Sequence, residues 1–170
     1  EQQGHVSLAA AAVRQDLDVA VSHLMIFAHL NDLQAVLDGG GETARAALAH
    51  ELLSYATITG LFDQLRYIDE TGREVVRINY AGGKPVVVPP AELQDKSGRP
   101  YVAETLRLGP GELHVSPFDL NREGLVIEQP PKPVIRFATP VFDRRGALRG
   151  LVVLNYLGAR MLHGISRAAS

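Results

Sequence analysis

Two stretches of this chain, "LFDQLRYIDETGREVVRINYAG" and "VIRFATPVFDRRGALRGLVVLNY", share one plan: an apolar-rich run, Asp-x-x-Gly, and a second apolar-rich run. Asp-x-x-Gly in that setting predicts a type I turn with glycine in the left-handed position, and so a β-hairpin. The strands fall near 62–69 and 73–80, then at 134–142 and 147–156. In the last of these, Leu148, Val152, Leu154 and Tyr156 alternate with Arg149 and Asn155. Two hairpins with the same turn chemistry predict one antiparallel sheet. The second hairpin carries two residues that suit a core poorly, Arg136 and Pro140. Proline removes a ladder donor, so a bulge or a sheet edge is expected at Pro140.

The chain before the first hairpin has a different period. From His5 to Leu37 apolar residues recur at helical spacing with no Pro or Gly between them, which predicts one helix of about 45–50 Å at 1.5 Å per residue. The glycines at 39–41 end it, and a second helix is expected from Glu42 to about Tyr55. So long a first helix exceeds what a compact domain needs. Its stripe (Val13, Leu17, Leu24) is expected to pack on a partner helix in a homodimer, or else flat over the sheet. Between the hairpins, 84–133 is rich in Pro, Gly and charge, with a short helix predicted near 100–106 and a strand near 112–117. Loops this long usually carry function or are disordered. A short helix is expected after Leu157. The pattern is α+β, with two helices on a five-stranded antiparallel sheet. We divide it into a helical region (1–58), the sheet with its loops (59–158) and a connecting segment (159–170).

Composition narrows the function. Lys and Arg number 17 against 19 Asp and Glu, a formal charge of −2 that attracts neither nucleic acid nor anionic lipid in general. There is no Cys, which removes thiol catalysis and thiolate metal sites and suits an oxidising compartment. The six His residues include no pair at helical ligand spacing, so no metal or other cofactor is expected. No G-x-S-x-G elbow or phosphate-binding loop occurs, and Ser116 near Asp119 reads as turn capping. The loop carboxylates leave a small hydrolase as a minor reading.

The informative polar residues are cations and an aromatic near the sheet: Arg77, Arg99, Tyr101 and Arg136, close to Ser97, Ser116, Asp119 and Thr139. Arginine offers a rigid fork of donors for a carboxylate, and tyrosine an apolar body with a hydroxyl tip. Arg99, Arg136 and Asp119 read equally well as ligand contacts or as a structural ion pair, whereas Arg77 reads as structural.

The three stretches "LRYIDETGREVVRINY", "LQDKSGRPYVAETLRLGPGELHVSPFDLN" and "KPVIRFATPVFDRRGALRGLVVLNYLG" resemble the Cache family. These are PAS-like extracytoplasmic sensor domains, and the likeness is greatest to the membrane-distal module of double-Cache sensors on histidine kinases and diguanylate cyclases. The resemblance implies a non-catalytic, periplasmic, ligand-sensing module of a membrane-anchored receptor, dimeric through its first helix. It also implies a pocket lined by Arg99, Tyr101, Ser116, Asp119, Arg136 and Thr139, with the two arginines clamping an anionic or carbonyl group. The amino-acid-binding subfamily carries Tyr-x4-Arg-x-Trp-Tyr and a later Tyr-x-Asp. Here Gln94, Tyr101 and Val102 stand at the aromatic positions around Arg99, and Pro117-Phe118-Asp119 at the later element, so the ligand is left open. A dimerisation module of the same fold without a ligand is the alternative. A double-Cache protein has a second module, so this chain is expected to be either a piece of a longer one or a single-module form.

Overall fold

Both Asp-x-x-Gly turns close through their aspartate. In the computed structural model, Asp69 Oδ1 accepts from the amides of Thr71 (2.9 Å) and Arg73 (3.1 Å). Asp143 Oδ1 accepts from those of Arg145 and Ala147, each at 2.9 Å. Gly72 (φ 90°) and Gly146 (φ 81°) return their amides to the same aspartates' carbonyls, a conformation other residues adopt at a cost. The structure describes residues 2–81, 83–123, 125–159, 163 and 166.

The first turn joins β1 (Phe62–Asp69) to β2 (Glu74–Ala81), and the second joins β8 (Pro133–Phe142) to β9 (Leu148–Leu157). β1 pairs with β9, which fuses the hairpins into one antiparallel sheet. The sheet also contains strands that differ from the expected set. β3 (Lys84–Val87) extends it beyond β2, and the predicted strand near 112–117 is reduced to β4 (His114–Val115) on the outer side of β8, followed by β5 (Asp119–Leu120). Pro85 hides β3 in the sequence, yet an edge strand tolerates it because no further strand needs its amide. β6 (Arg122–Glu123) and β7 (Val126–Ile127) form a small separate ribbon.

The predicted single helix is two. α1 (Gln2–Ala28) stops, His29 and Leu30 reach back to Ile26 and Phe27 with tightened amide bonds (3.1 and 3.3 Å), and α2 (Asn31–Leu37) begins after an extended Leu30. Asn31 and Asp32 supply the polar start that a continuous apolar stripe concealed. The bend turns Leu33 and Leu37 into the same core as Phe27. α3 (Gly41–Thr59) then crosses the sheet and ends on Gly60 in the left-handed conformation. Among the described residues, no helix is long and apolar enough to cross a membrane. Of the helix expected from Leu157, Gly158 and Ala159 are helical, while most of the 159–170 segment lies outside the described residues.

Strand alternation gives the sheet two unlike faces. Leu65, Tyr67, Val76, Ile78, Phe137, Val152 and Leu154 face α1–α3 and join Ala20, Leu24, Phe27, Leu48 and Leu52 in the main core. On the opposite face, Ile68, Ala138, Leu151 and Val153 pack on Tyr101 and Val102 of α4 (Pro100–Leu106), the predicted short helix, which opens with Pro at its first position. Leu24 is therefore spent inside its own domain and is not available to a partner helix. Pro140 lies at an edge, as one expected alternative had it. Ser116 N donates to Arg136 O and Arg136 N to Ser116 Oγ, each at 2.9 Å. The even-numbered backbone groups of β8 therefore face away from β9, and Pro140 lies beyond Ala138, where β4 pairs.

Candidate functional site

The face of the sheet under α4 is apolar at one end and charged at the other. Gln64 and Arg66 of β1, Arg77 of β2, Arg136 of β8 and Asn155 of β9 stand on it. Their registers explain why: Arg66 opposes Arg77, Gln64 opposes Asn155, and Asn155 opposes Arg136. α4 and the segment before it roof this polar row, and β5 closes one side. The result is a cavity of about 100 Å³ lined by Arg66, Lys96, Arg99, Tyr101, Asp119 and Arg136, with Asn121 and Arg122 at one end. A larger groove of about 330 Å³ between α3 and β2–β3 is mostly apolar in its lining, and it has no comparable convergence of polar groups.

Arg66 anchors the site. Only 3% exposed, it donates from Nη2 to Asn155 Oδ1 (2.7 Å) and from Nη1 to the Tyr101 hydroxyl (3.0 Å), while its Nε is buried without a hydrogen-bond partner among the described residues. Behind it, the fully buried Glu74 carboxylate accepts from the Gln94 amide (2.9 Å) and pairs with Arg77 (3.2 Å) and, more distantly, Arg66 (3.8 Å). Lys96 Nζ donates to Gln94 Oε1 at 2.6 Å, so the 94–96 segment is held against the hairpin that carries Glu74.

Arg136 differs from Arg66 in what it lacks. Its side chain is 12% exposed, yet among the described residues its one ion pair is to Asp119 at 3.8 Å, beyond hydrogen-bond reach, and that carboxylate is 55% exposed. Among the described residues its guanidinium makes no hydrogen bond. Its carbon lies 5.6 Å from the Tyr101 ring centroid, the same distance as that of Arg66. Burial, and then the neighbouring Arg66 charge, pull the Arg136 guanidinium below its ordinary pKa. It remains a cation, since arginine does not deprotonate in proteins.

A second polar network borders the cavity. Asn121 donates to Glu128 (2.8 Å) and Asp63 (3.3 Å), and Lys132 bridges the same two carboxylates (2.7 and 3.3 Å). Burial acts against the Glu128 charge, but the hydrogen bonds from Lys132 and Asn121 outweigh it and hold this carboxyl below the usual range.

Of the residues expected at the site, Arg99, Tyr101, Asp119 and Arg136 line one cavity. Ser116 and Thr139 do not. The Ser116 hydroxyl is used in pairing, accepting from Arg136 N and donating to Pro117 O at 2.9 Å each. Thr139 is three residues from Arg136, an odd step along a strand, so it faces α1–α3 and donates to Glu112 O at 2.6 Å. Arg77 has the structural partner expected of it. Arg66, Lys96 and Asn155 went unforeseen. The signal for Arg66 was present as Gln64 and Arg66 alternating with Leu65 and Tyr67, which marks a polar second face.

The family described as "Bacterial histidine kinase, sensor domain" matches residues 17–163. No curated protein matches the chain. Among solved structures, a sensory box/GGDEF family protein domain from Vibrio parahaemolyticus is 24% identical with a TM-score of 0.76 over 87% of this chain and 57% of that one. The extracellular domain of a protein described as histidine kinase vpHK1S-Z8 is 21% identical, with a TM-score of 0.77 over 95% and 61%. The sensory domain of Campylobacter jejuni chemoreceptor Tlp3 with isoleucine bound is 11% identical, with a TM-score of 0.70 over 96% and 60%. The chain thus spans about three-fifths of the length of these sensor domains. The match over most of its length, on a PAS-like sheet of the Cache type, places this chain in the bacterial histidine kinase sensor domain family, a family of non-catalytic input modules.

Proposed function

We propose that this chain is the periplasmic ligand-sensing part of a membrane-anchored bacterial receptor and that a small molecule binds in the cavity between α4, β5 and the sheet. The observation that carries the reading is the Arg136 guanidinium, largely buried at the cavity wall with no hydrogen bond among the described residues. A largely buried charge that has one long ion pair and no hydrogen bond among the described residues is costly, so a position of this kind is suited to a partner that comes and goes. Arg99, Tyr101 and Asp119 complete the ligand contacts. Residues 59–158 sense, 1–58 carry the response, and 159–170 connect onward. Binding shifts the receptor only by its differential affinity for two arrangements of sheet and helices. A sensory domain of the same fold with isoleucine bound lends support to a small-molecule ligand. Native mass spectrometry of the purified chain, with a thermal-shift screen over metabolites, tests this. A ligand whose effect is lost in Arg136→Gln supports it, and no response to any class of metabolite overturns it.

A second reading is favoured by the start of α1. Val6 and Leu8 are 70% and 62% exposed, and Val13 and Leu17 border a shallow apolar groove there, while the fully buried residues of α1 begin at Ala20. This stripe is the homodimer contact in our proposal. Val6→Asp with Leu8→Asp converts the chain to a monomer in analytical ultracentrifugation if the contact is real. An unchanged mass for the double variant, or a monomeric parent, removes it.

A further inference from the structure

The helical region holds two titratable contacts, remote from the cavity, one on either side of the bend between α1 and α2. On the α1 side, His23 Nδ1 shares a hydrogen bond with the Tyr55 hydroxyl of α3. The His23 ring also meets those of Tyr55 and of Phe62 in β1 edge to face, with centroids 5.5 and 5.4 Å away. On the α2 side, Asp32 lies within hydrogen-bond reach of Glu51 of α3, whose Oε2 is buried without a donor among the described residues. Glu51 and Tyr55 are four residues apart and so share one stripe of α3. α1 therefore touches that stripe at one turn and α2 at the next, and the extended Leu30 lies in the chain between the two contacts.

Protons act on these contacts in opposite directions. Two carboxyl groups bond only while one of them holds a proton, and they repel when both are ionised. Asp32 is the charged group that faces Glu51 from α2; burial, and then that charge, hold Glu51 above the usual carboxylate range. The α2 contact is thus complete in acid and is lost as pH rises through the raised value. His23 behaves in reverse, because burial pulls its imidazole below the ordinary value and no carboxylate lies within ion-pair distance among the described residues. The groups around it are Tyr55 of α3, Phe62 of β1 with Tyr156 of β9 behind that ring, and Arg14 and Asp18 farther back along α1. The Tyr55 hydroxyl, which burial keeps protonated, can donate to a neutral ring nitrogen but not to an imidazolium. The α1 contact is therefore complete above the ordinary imidazole value and is lost as pH falls through the lowered one. We propose that the bend between α1 and α2 is a proton-operated hinge, in which acid fastens α2 to α3 through a proton shared by Glu51 and Asp32 and releases α1 from α3 at His23. Its working range lies between the ordinary carboxyl and imidazole values, roughly pH 4.3 to 6.5. No ligand in the cavity is required, so the module reports acidity through its helices independently of the ligand response.

The test is hydrogen exchange of the whole chain read by mass spectrometry at about pH 7.5 and about pH 5, with labelling times scaled to the intrinsic exchange rate. On going to the lower pH, amides of α1 around His23 lose protection by about threefold or more, those of α2 gain it by a similar factor, and the sheet is unchanged. His23→Phe keeps an aromatic ring at the junction and abolishes the α1 change alone. Glu51→Gln keeps a neutral side chain of the same shape and abolishes the α2 change alone. A ring-proton NMR titration of His23 in the parent needs no variant, and its midpoint is expected below the ordinary imidazole value. The proposal is overturned by a parent in which either helix fails to respond or responds in the other direction. A His23 midpoint at or above the ordinary value, or a helix response that survives the matching folded variant, overturns it equally.

Discussion

Arg66 in β1 donates from Nη1 to the hydroxyl of Tyr101 in α4 at 3.0 Å, joining the middle of the sheet to the roof of the cavity. Both residues are buried, so the bond is not in competition with bulk water. Tyr101→Phe keeps the ring beside Arg66 and Arg136 but strips the acceptor from a buried cation. The expected loss is about 1–3 kcal/mol of unfolding free energy, read by urea denaturation, with α4 exchanging its amides faster than the sheet. A loss confined to ligand response, with stability intact, would mean that the hydroxyl serves the ligand alone.

Glu74 neutralises two arginines from a fully buried position and also accepts the Gln94 amide. Glu74→Gln preserves the shape and removes the negative charge with which both Arg66 and Arg77 pair. Breaking one side of a buried ionic cluster costs about 3–5 kcal/mol. Circular dichroism melting checks this, and a change below about 1 kcal/mol would show that water or the 94–96 segment supplies the compensation.

Gly150 adopts φ 128°, and a Cβ there would lie 2.0 Å from the carbonyl oxygen of Ile68. That contact is backbone against backbone, in the β1–β9 pairing that joins the two hairpins. Gly150→Ala is expected to prevent accumulation of folded protein. Gly146, in the turn at φ 81° with nothing near its Cβ position, tolerates Asn at a cost of about 1 kcal/mol, since Asn adopts the left-handed conformation more readily than other residues. Equal behaviour of the two variants in expression and melting would refute the distinction.

Glu51 of α3 is raised above the usual carboxylate range by burial, then by the charge of Asp32 and a hydrogen bond with it. A folded-state pKa above the unfolded one makes ionisation unfavourable to folding. Its contribution is fully present below the unfolded value of about 4.3 and is lost as pH rises through the folded value. Glu51→Gln removes that loss, so the variant is more stable than the parent at about pH 7 and equal to it near pH 3.5. Melting curves at the two pH values decide it, and equal stability at pH 7 would contradict the sign.

Local chemistry was sufficient for much of this architecture. Each Asp-x-x-Gly turn closes on its own aspartate, and the residues flanking it read as strands because neighbours across a short turn need no distant information. α4 was legible from Pro100 onward for the same reason. The break between α1 and α2 was not, because the apolar spacing runs unbroken through it and only the need to seat Leu33 and Leu37 beside Phe27 bends the chain.

Residue pattern specifies two hairpins, a helical start, a loop-rich centre and the presence of arginines on strands. Tertiary structure alone decided which of those side chains meet. Arg66 and Asn155 are 89 residues apart and touch because β1 pairs with β9, a long-range choice that local pattern does not encode. Thr139 was expected beside Arg136 from nearness in sequence, but the two-residue period of a strand sends it to the opposite face. Proximity along the chain suggested a site, and strand parity with register determined its members.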